Sequence, residues 1–151
     1  MTGTHNNHAV ENETERNKAV ARRYFEEFVD GRRLDVLDEI VAADATDETR
    51  VGAGGTGTRE HFREHAEWLW GNVEDVHVSV SDLLAEGDRV IVFWTIEGLH
   101  TGTIFGVPAT GKPFTGQSIS WLTVREGRIV RYNVLADRLG IVQQLADTDT
   151  T

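Results

Sequence analysis

The hydrophobic period of the chain changes near Gly71, and this change constrains the fold more than any other sequence feature. Before it, apolar residues recur at helical spacing, and after it they alternate with polar residues. The helical segments are about 13–30, 34–41 and 58–70, and the alternating ones are 76–80, 90–97, 115–125 and 128–137. Helices that precede an antiparallel meander predict an α+β fold, with the helices packed on one face of a curved sheet.

The length and the cysteine count indicate how this fold is stabilised. A chain of 151 residues suits one domain and can bury a core without disulfides or metals. Cysteine is absent, which excludes disulfides, zinc–thiolate sites, iron–sulfur clusters and thiol nucleophiles. We expect a disordered tail over residues 1–11 and a single domain over residues 12–147. Within the domain, residues 44–58 read as a loop and 139–145 as a closing helical turn.

The chain is strongly acidic, with 15 Lys and Arg against 25 Asp and Glu and a net charge of −10. This charge disfavours nucleic acids and anionic membranes as partners. No apolar run approaches the roughly 20 residues of a membrane span, and the N-terminus lacks signal-peptide features, so we expect a cytoplasmic protein. Lysine occurs only at positions 18 and 112, and this composition suits a halophilic setting where salt screens self-repulsion. An ordinary acidic bacterial protein is the alternative.

Two short motifs have the residue patterns of known binding sites but lack the surrounding sequence features that those sites require. Residues 52–57 read G-x-G-x-x-G, yet the apolar strand and parallel βαβ unit of a dinucleotide site are missing, and a flexible loop is expected. His61, Glu64 and His65 read H-x-x-E-H, in which two histidines share a helix face and could hold zinc. No third ligand is evident, so we expect a polar helix face and no metal.

Two polar residues on apolar segments are candidates for chemistry. His100 shares the more buried face of a strand with Trp94, and a buried imidazole there is either structural or catalytic. Asp137 follows an apolar segment and precedes the closing helix. It is either the N-cap of that helix or a general base whose pKa rises in an apolar pocket. The aromatic residues Trp94 and Trp121 either line a cavity or fill the core.

Five segments, taken in order, resemble the SnoaL-like polyketide cyclases, or ester cyclases, of the NTF2-like superfamily. The most specific are G-x-H-x-G around His100, the P-x-T-G-K loop, and D-x-L-G-x-x-x-Q-L beginning at Asp137. The likeness covers residues 17–146. It implies a cone-shaped α+β barrel whose curved sheet wraps helices around a deep, mostly apolar cavity. The segments are YFEEF..GRRLDVLDEIVA, AEGDRVIVFWTIEGLHTG, FGVPATGK, EGRIV and ADRLGIVQQL.

The resemblance also implies an activity, an intramolecular aldol ring closure of an apolar carbonyl compound without metal or organic cofactor. Asp137 would take the C–H proton, and His100 would hydrogen-bond the enolate or return the proton. The expected ligand-binding residues are Gln117, Tyr132 and Asn133 for polar groups and Trp94 and Trp121 as flat walls. A histidine common in the family after the second helix is missing from DATDETR, which leaves the substrate open. The alternatives are a non-catalytic small-molecule binder and a hydroxylase component of the same family.

A homodimer is the expected assembly. One face of the central strands carries Ile91, Phe93, Thr95 and Ile119, and Trp121 if the register allows. The predicted helices all pack on one face of this sheet, so a second apolar face favours pairing with another copy. This use of Trp121 competes with its use as a cavity wall, and the sequence does not decide between them.

Overall fold

The computed structural model describes residues 4–49 and 58–146, which form four α-helices and five strands. This arrangement confirms the predicted α+β class. The helices are α1 (Thr4–Arg23), continued by a π-helix (Tyr24–Asp30), α2 (Leu34–Ile40), α3 (Arg59–Asn72) and α4 (Arg138–Ala146). The strands are β1 (Val41–Asp47), β2 (Val73–Glu86), β3 (Arg89–His100), β4 (Pro113–Arg125) and β5 (Arg128–Ala136).

All five strands form one curved sheet in the order β1-β5-β4-β3-β2. Strands β2 to β5 are the predicted antiparallel meander, and β1 adds to β5 in parallel. The sheet has β1 and β2 as free edges, so it is open and does not close into a complete barrel. The tight β4–β5 turn at Glu126 and Gly127 uses positive φ angles of 51° and 76°, as hairpin turns of this length require.

Strand β1 was not predicted: it begins at Val41, the last residue of the predicted second helix, and its second half falls within the predicted loop 44–58. Its sequence, VAADATD, is too polar to be recognised as a strand, yet Val41, Ala45 and Asp47 are fully buried. The pairing with β5 provides the missing stabilisation, because it joins residues some 85 positions apart, Val41 with Ile129 and Asp47 with Tyr132. β1 therefore carries a carboxylate into the core. The G-x-G-x-x-G motif lies outside the described residues.

The N-terminal helix is longer than the sequence pattern indicates. It begins at Thr4, within the stretch that we expected to be disordered, and residues 4–30 contain neither glycine nor proline. The π-helix ends at Asp30, and the next residue is Gly31, the predicted stop, where an added Cβ would lie 2.5 Å from the Glu27 carbonyl oxygen. No helix in the described ranges, 4–49 and 58–146, has the length and apolar character needed to cross a membrane.

The strand alternation separates an inner face, covered by the helices, from an outer face. Along β4 the even-numbered residues 114–124 are buried, and the odd-numbered ones are exposed or half-buried. Trp121 consequently points outward, where it pairs with Ile91 and Asn133, while Ile119 pairs with Phe93 and Leu135. Because of this register, Trp121 belongs to the outer face of the sheet and is not a wall of the inner cavity.

Candidate functional site

A cavity of about 180 Å³ lies between the helices and the inner face of the sheet. The π-helix, α3, strands β3 to β5, residues 104–105 and the start of α4 surround it. Its walls are mostly apolar. A concave, mainly apolar space with a few convergent polar groups is typical of a small-molecule site. The lining side chains with polar atoms are Tyr24, Thr49, His65, Trp68, Trp94, Ser118, Tyr132 and Arg138.

Two lining side chains, Trp94 and Tyr132, are linked through the buried Ser120 behind the cavity wall. The Trp94 indole Nε1 donates to Ser120 Oγ at 2.8 Å, and Ser120 Oγ lies 3.2 Å from Tyr132 Oη. A serine that accepts from the indole can donate its own proton to the phenol oxygen, which leaves the Tyr132 proton for another acceptor. Burial raises the pKa of Tyr132, and the Ser120 hydrogen bond only partly offsets this. The phenol is therefore a neutral donor at pH 7.

A buried carboxylate stands beside this wall, at the end of β1. Asp47 is fully buried, and its Oδ1 accepts the backbone N–H of Thr49 at 3.0 Å as well as the Thr49 hydroxyl. Its Oδ2 lies 3.4 Å from Nδ1 of His65, with no aligned hydrogen bond to it from the described residues. Burial alone would raise the pKa of Asp47. The His65 contact and the Thr49 hydrogen bonds outweigh burial, so the pKa lies below its ordinary value and the group is a carboxylate.

His65 connects that carboxylate to the cavity. It lies on α3, its side chain is 35% exposed, and its ring lines the cavity. A carboxylate at Nδ1 favours the proton on that nitrogen and leaves the lone pair on Nε2. The Asp47 charge also acts on Tyr24, whose pKa is raised first by burial, then by Tyr132 and by Asp47. These groups form one cluster at the cavity.

Sequence reasoning missed this cluster because its members lie on unrelated segments. The H-x-x-E-H motif singled out His65 only as a possible zinc ligand, and we expected a polar helix face instead. In the ranges that the structure describes, no three His, Cys, Asp or Glu side chains form a group that could hold a metal ion. Asp47 lay in a predicted loop. The alternation of Ala45 and Asp47 was the only available signal, and two positions are too few to predict a strand.

His100 is fully buried, as its strand position predicts, but its ring does not line the cavity. Nδ1 accepts the backbone N–H of Thr110 at 3.2 Å and lies 2.8 Å from the Thr110 hydroxyl oxygen. Nε2 lies 3.1 Å from the carbonyl oxygen of Val107, to which it can donate. Both ring nitrogens therefore hold the β3–β4 loop in place.

Asp137 is exposed and caps α4. Its Oδ1 accepts the backbone N–H of Gly140 at 3.0 Å, and its carbonyl oxygen accepts that of Ile141 at 3.1 Å. An added Cβ at Gly140 would lie 2.2 Å from Asp137 Oδ2, so the spacing of the D-x-L-G motif suits a cap. Asp137 lies in an outer groove together with Gln117 rather than in the cavity.

The predicted site residues therefore divide between two faces. Trp94 and Tyr132 line the cavity, whereas Trp121, Asn133 and Gln117 lie on the outer side of the sheet. Trp94 and Trp121 were both predicted as flat walls of the cavity. The prediction is wrong for Trp121, which is 44% exposed on the opposite face of the sheet. The structure also does not bring His100 and Asp137 together in the cavity, since the one anchors a loop and the other caps α4.

The comparison of the sequence with known families and proteins agrees with the resemblance found in its motifs. A family model described as SnoaL-like polyketide cyclase matches residues 19–145. The aklanonic acid methyl ester cyclase DnrD of Streptomyces peucetius is 29% identical over 89 residues, which is 58% of this chain and 61% of DnrD. The match thus spans less than two thirds of the length of that relative.

Solved structures show the same fold. Wild-type IdmH from Streptomyces antibioticus superposes with a TM-score of 0.76 at 26% identity, covering 87% of this chain and 99% of IdmH. TsrD from Streptomyces laurentii superposes with a TM-score of 0.77 at 21% identity, covering 87% and 95% of the two chains. At the latter identity the likeness concerns the fold alone.

Proposed function

The chain belongs to the SnoaL-like polyketide cyclase family, and on this premise we propose that it is a cofactor-free acid/base catalyst. The proposed reaction is an intramolecular aldol ring closure of a small apolar carbonyl compound. The observation that carries the proposal is the mostly apolar cavity with an imidazole and a neutral phenol in its wall. Its curated relatives are named as cyclases, which supports the reaction class.

Such a reaction needs a base, an oxyanion donor and a dry pocket. The base removes a proton from the carbon next to a carbonyl, and the charge moves to the oxygen as an enolate. A pre-oriented donor such as Tyr132 stabilises that oxygen more in an apolar site than in water. The enolate carbon then attacks a second carbonyl of the same molecule, and the resulting alkoxide takes a proton.

The cavity volume supports a compact ligand. An apolar protein cavity of about 150 Å³ binds benzene, whereas drug-sized ligands occupy roughly 300–1,000 Å³. At about 180 Å³ this cavity is close to the first value. We therefore propose an apolar carbonyl compound built around one ring.

The proposal predicts that the protein exchanges the acidic C–H protons of a compact ketone. We would incubate 2-indanone with wild-type protein in D₂O and follow loss of the α-proton signal by NMR. General base catalysis contributes about a hundred- to ten-thousand-fold, so exchange should exceed buffer by at least about a hundredfold. Exchange no faster than buffer, for 2-indanone and for ethyl acetoacetate, would contradict the proposal.

A non-catalytic binder is the second candidate, and one observation favours it. The two residues that the family resemblance selects for chemistry have structural contacts instead: both ring nitrogens of His100 contact loop atoms, and Oδ1 of Asp137 caps α4. A protein that binds 2-indanone without accelerating exchange would fit this candidate. A hydroxylase component of the same family is the third candidate function.

We also propose a homodimer formed through the outer face. An apolar band crosses three strands there and consists of Ile91, Phe93, Ile119, Trp121 and Leu135. Two copies that each carry a charge of −10 repel one another unless they meet at a surface free of carboxylates, and this band contains none.

The dimer predicts a light-scattering mass of about twice 16.8 kDa at micromolar concentration. Trp121→Glu places a charge in the middle of the band and should reduce the mass to that of one chain. Glu67→Gln, on an exposed position of α3, is the control and should leave the mass unchanged. A wild-type mass near 16.8 kDa would remove the proposal.

A further inference from the structure

Resting on the proposed function, we propose that His65 is its general base and that the buried carboxylate of Asp47 positions it. His65 lines the cavity, and its Nδ1 lies 3.4 Å from Asp47 Oδ2. Asp137, which the family resemblance selects as the base, lies outside this cavity.

Elimination among the cavity-lining groups supports His65. The described part of the lining contains no Asp, Glu or Lys. Arg138 is a permanent cation and cannot accept a proton. Tyr24 and Tyr132 stay neutral because burial raises the pKa of both. Serine, threonine and tryptophan are not bases near pH 7, and imidazole is the one lining side chain that accepts a proton there.

The surroundings of Asp47 support a positioning role. Burying a charge without full hydrogen bonding is costly. Thr49 satisfies one oxygen of Asp47 twice, whereas the other oxygen faces His65 and has no other partner in the described ranges. This arrangement costs least when the imidazole carries its proton on Nδ1, next to the carboxylate. Asp47 therefore favours the tautomer whose Nε2 lone pair is available to the cavity.

The strand pairing also places the oxyanion donor next to this pair. Asp47 on β1 and Tyr132 on β5 are register partners, so the anchor of the base and the phenol lie at the same part of the sheet. Tyr132 lines the cavity together with His65. A carbonyl oxygen that accepts from the phenol can thus have its neighbouring carbon beside the imidazole.

The proton balance closes on these residues alone. His65 Nε2 takes the α-proton, which leaves an enolate and an imidazolium. The enolate oxygen accepts a hydrogen bond from Tyr132, and its carbon forms the new C–C bond with the second carbonyl. The alkoxide formed there takes the proton from the imidazolium, and His65 is neutral again. No oxidant or reductant is required.

The test compares three variants in the 2-indanone exchange assay, and a fourth, Asp47→Asn, tests the positioning role. His65→Gln should lose about a hundred- to ten-thousand-fold of the exchange rate while binding 2-indanone with unchanged affinity. His61→Gln is the matched control, because that histidine lies on the same helix and does not line the cavity, and it should keep the wild-type rate. Asp137→Asn should also keep it, since asparagine caps a helix nearly as well.

The positioning role has a spectroscopic readout. Asp47→Asn places an amide beside Nδ1, and an amide N–H would donate to that nitrogen and move the imidazole proton to Nε2. ¹⁵N NMR of the histidine side chains should show the Nδ1–H tautomer for His65 in the wild type and the Nε2–H tautomer in the variant. The exchange rate should fall with it, as in other carboxylate–imidazole pairs.

The outcomes separate the two proposals. Exchange by the wild type that survives His65→Gln overturns the role of His65 and leaves the proposed function standing, and loss in Asp137→Asn instead assigns the base to Asp137. Absence of exchange by the wild type overturns the proposed function itself. An Nε2–H tautomer of His65 in the wild type overturns the role of Asp47, even if a variant fails to fold.

Discussion

Replacing Ala66 with phenylalanine is expected to abolish ligand binding and proton exchange while leaving the fold intact. Ala66 lies on α3 next to His65, is 5% exposed and lines the cavity. A phenyl group has close to the size of a cavity of about 180 Å³ and would occupy it. Overpacking a filled core costs about 1–3 kcal/mol, but here the added ring enters empty space. We expect at least a hundredfold loss of 2-indanone exchange.

The control for this variant is the same substitution on an exposed helix position. Ala19→Phe on α1 adds an identical ring to the surface and should change neither binding nor exchange. Thermal melts of both variants should stay close to the wild type. Undiminished binding of 2-indanone by Ala66→Phe would show that the ligand uses another site.

Replacing Phe28 with alanine is expected to cost the fold about 3–5 kcal/mol of unfolding free energy. Phe28 is fully buried in the π-helix, and its ring packs against Tyr24 and Trp70 at centroid distances of 5.3 and 5.8 Å. It does not line the cavity, so its removal creates a new void. Urea denaturation measures the loss.

Leu139→Ala is the matched control for this stability measurement. Leu139 is 69% exposed, and its truncation should change the free energy of unfolding by no more than about 0.5 kcal/mol. A loss below about 1 kcal/mol for Phe28→Ala would contradict the placement of the π-helix at the centre of the core.

The parts of the fold that local periodicity encodes could be predicted from the sequence. Strand alternation predicts that residues 115–125 form a strand with two distinct faces, but it does not tell which of the two faces inward. The structure shows that the even-numbered residues of β4 do so. β1 could not be predicted, because it is polar and its stability comes from the distant pairing of Val41 with Ile129. Period-based reasoning has no access to such a partner.

The residues of the candidate site divide in the same way, into those that local patterns predict and those that depend on tertiary contacts. Trp94 and Tyr132 were predicted as ligand-binding residues and line the cavity. For Asp137 the sequence left two alternatives, a general base and a helix N-cap. The hydrogen bond from the Gly140 N–H to its carboxylate shows the cap. The pairing of Asp47 with His65 depends on how β1 packs against α3, a tertiary contact that no spacing in the sequence encodes.

A crystal structure of the complex with 2-indanone would show directly whether the inner cavity is the ligand site. We expect the ketone in the inner cavity, with its oxygen within hydrogen-bond distance of Tyr132 Oη and its α-carbon next to His65 Nε2. A ligand in the outer groove instead, against Gln117 and Asp137, would contradict this expectation.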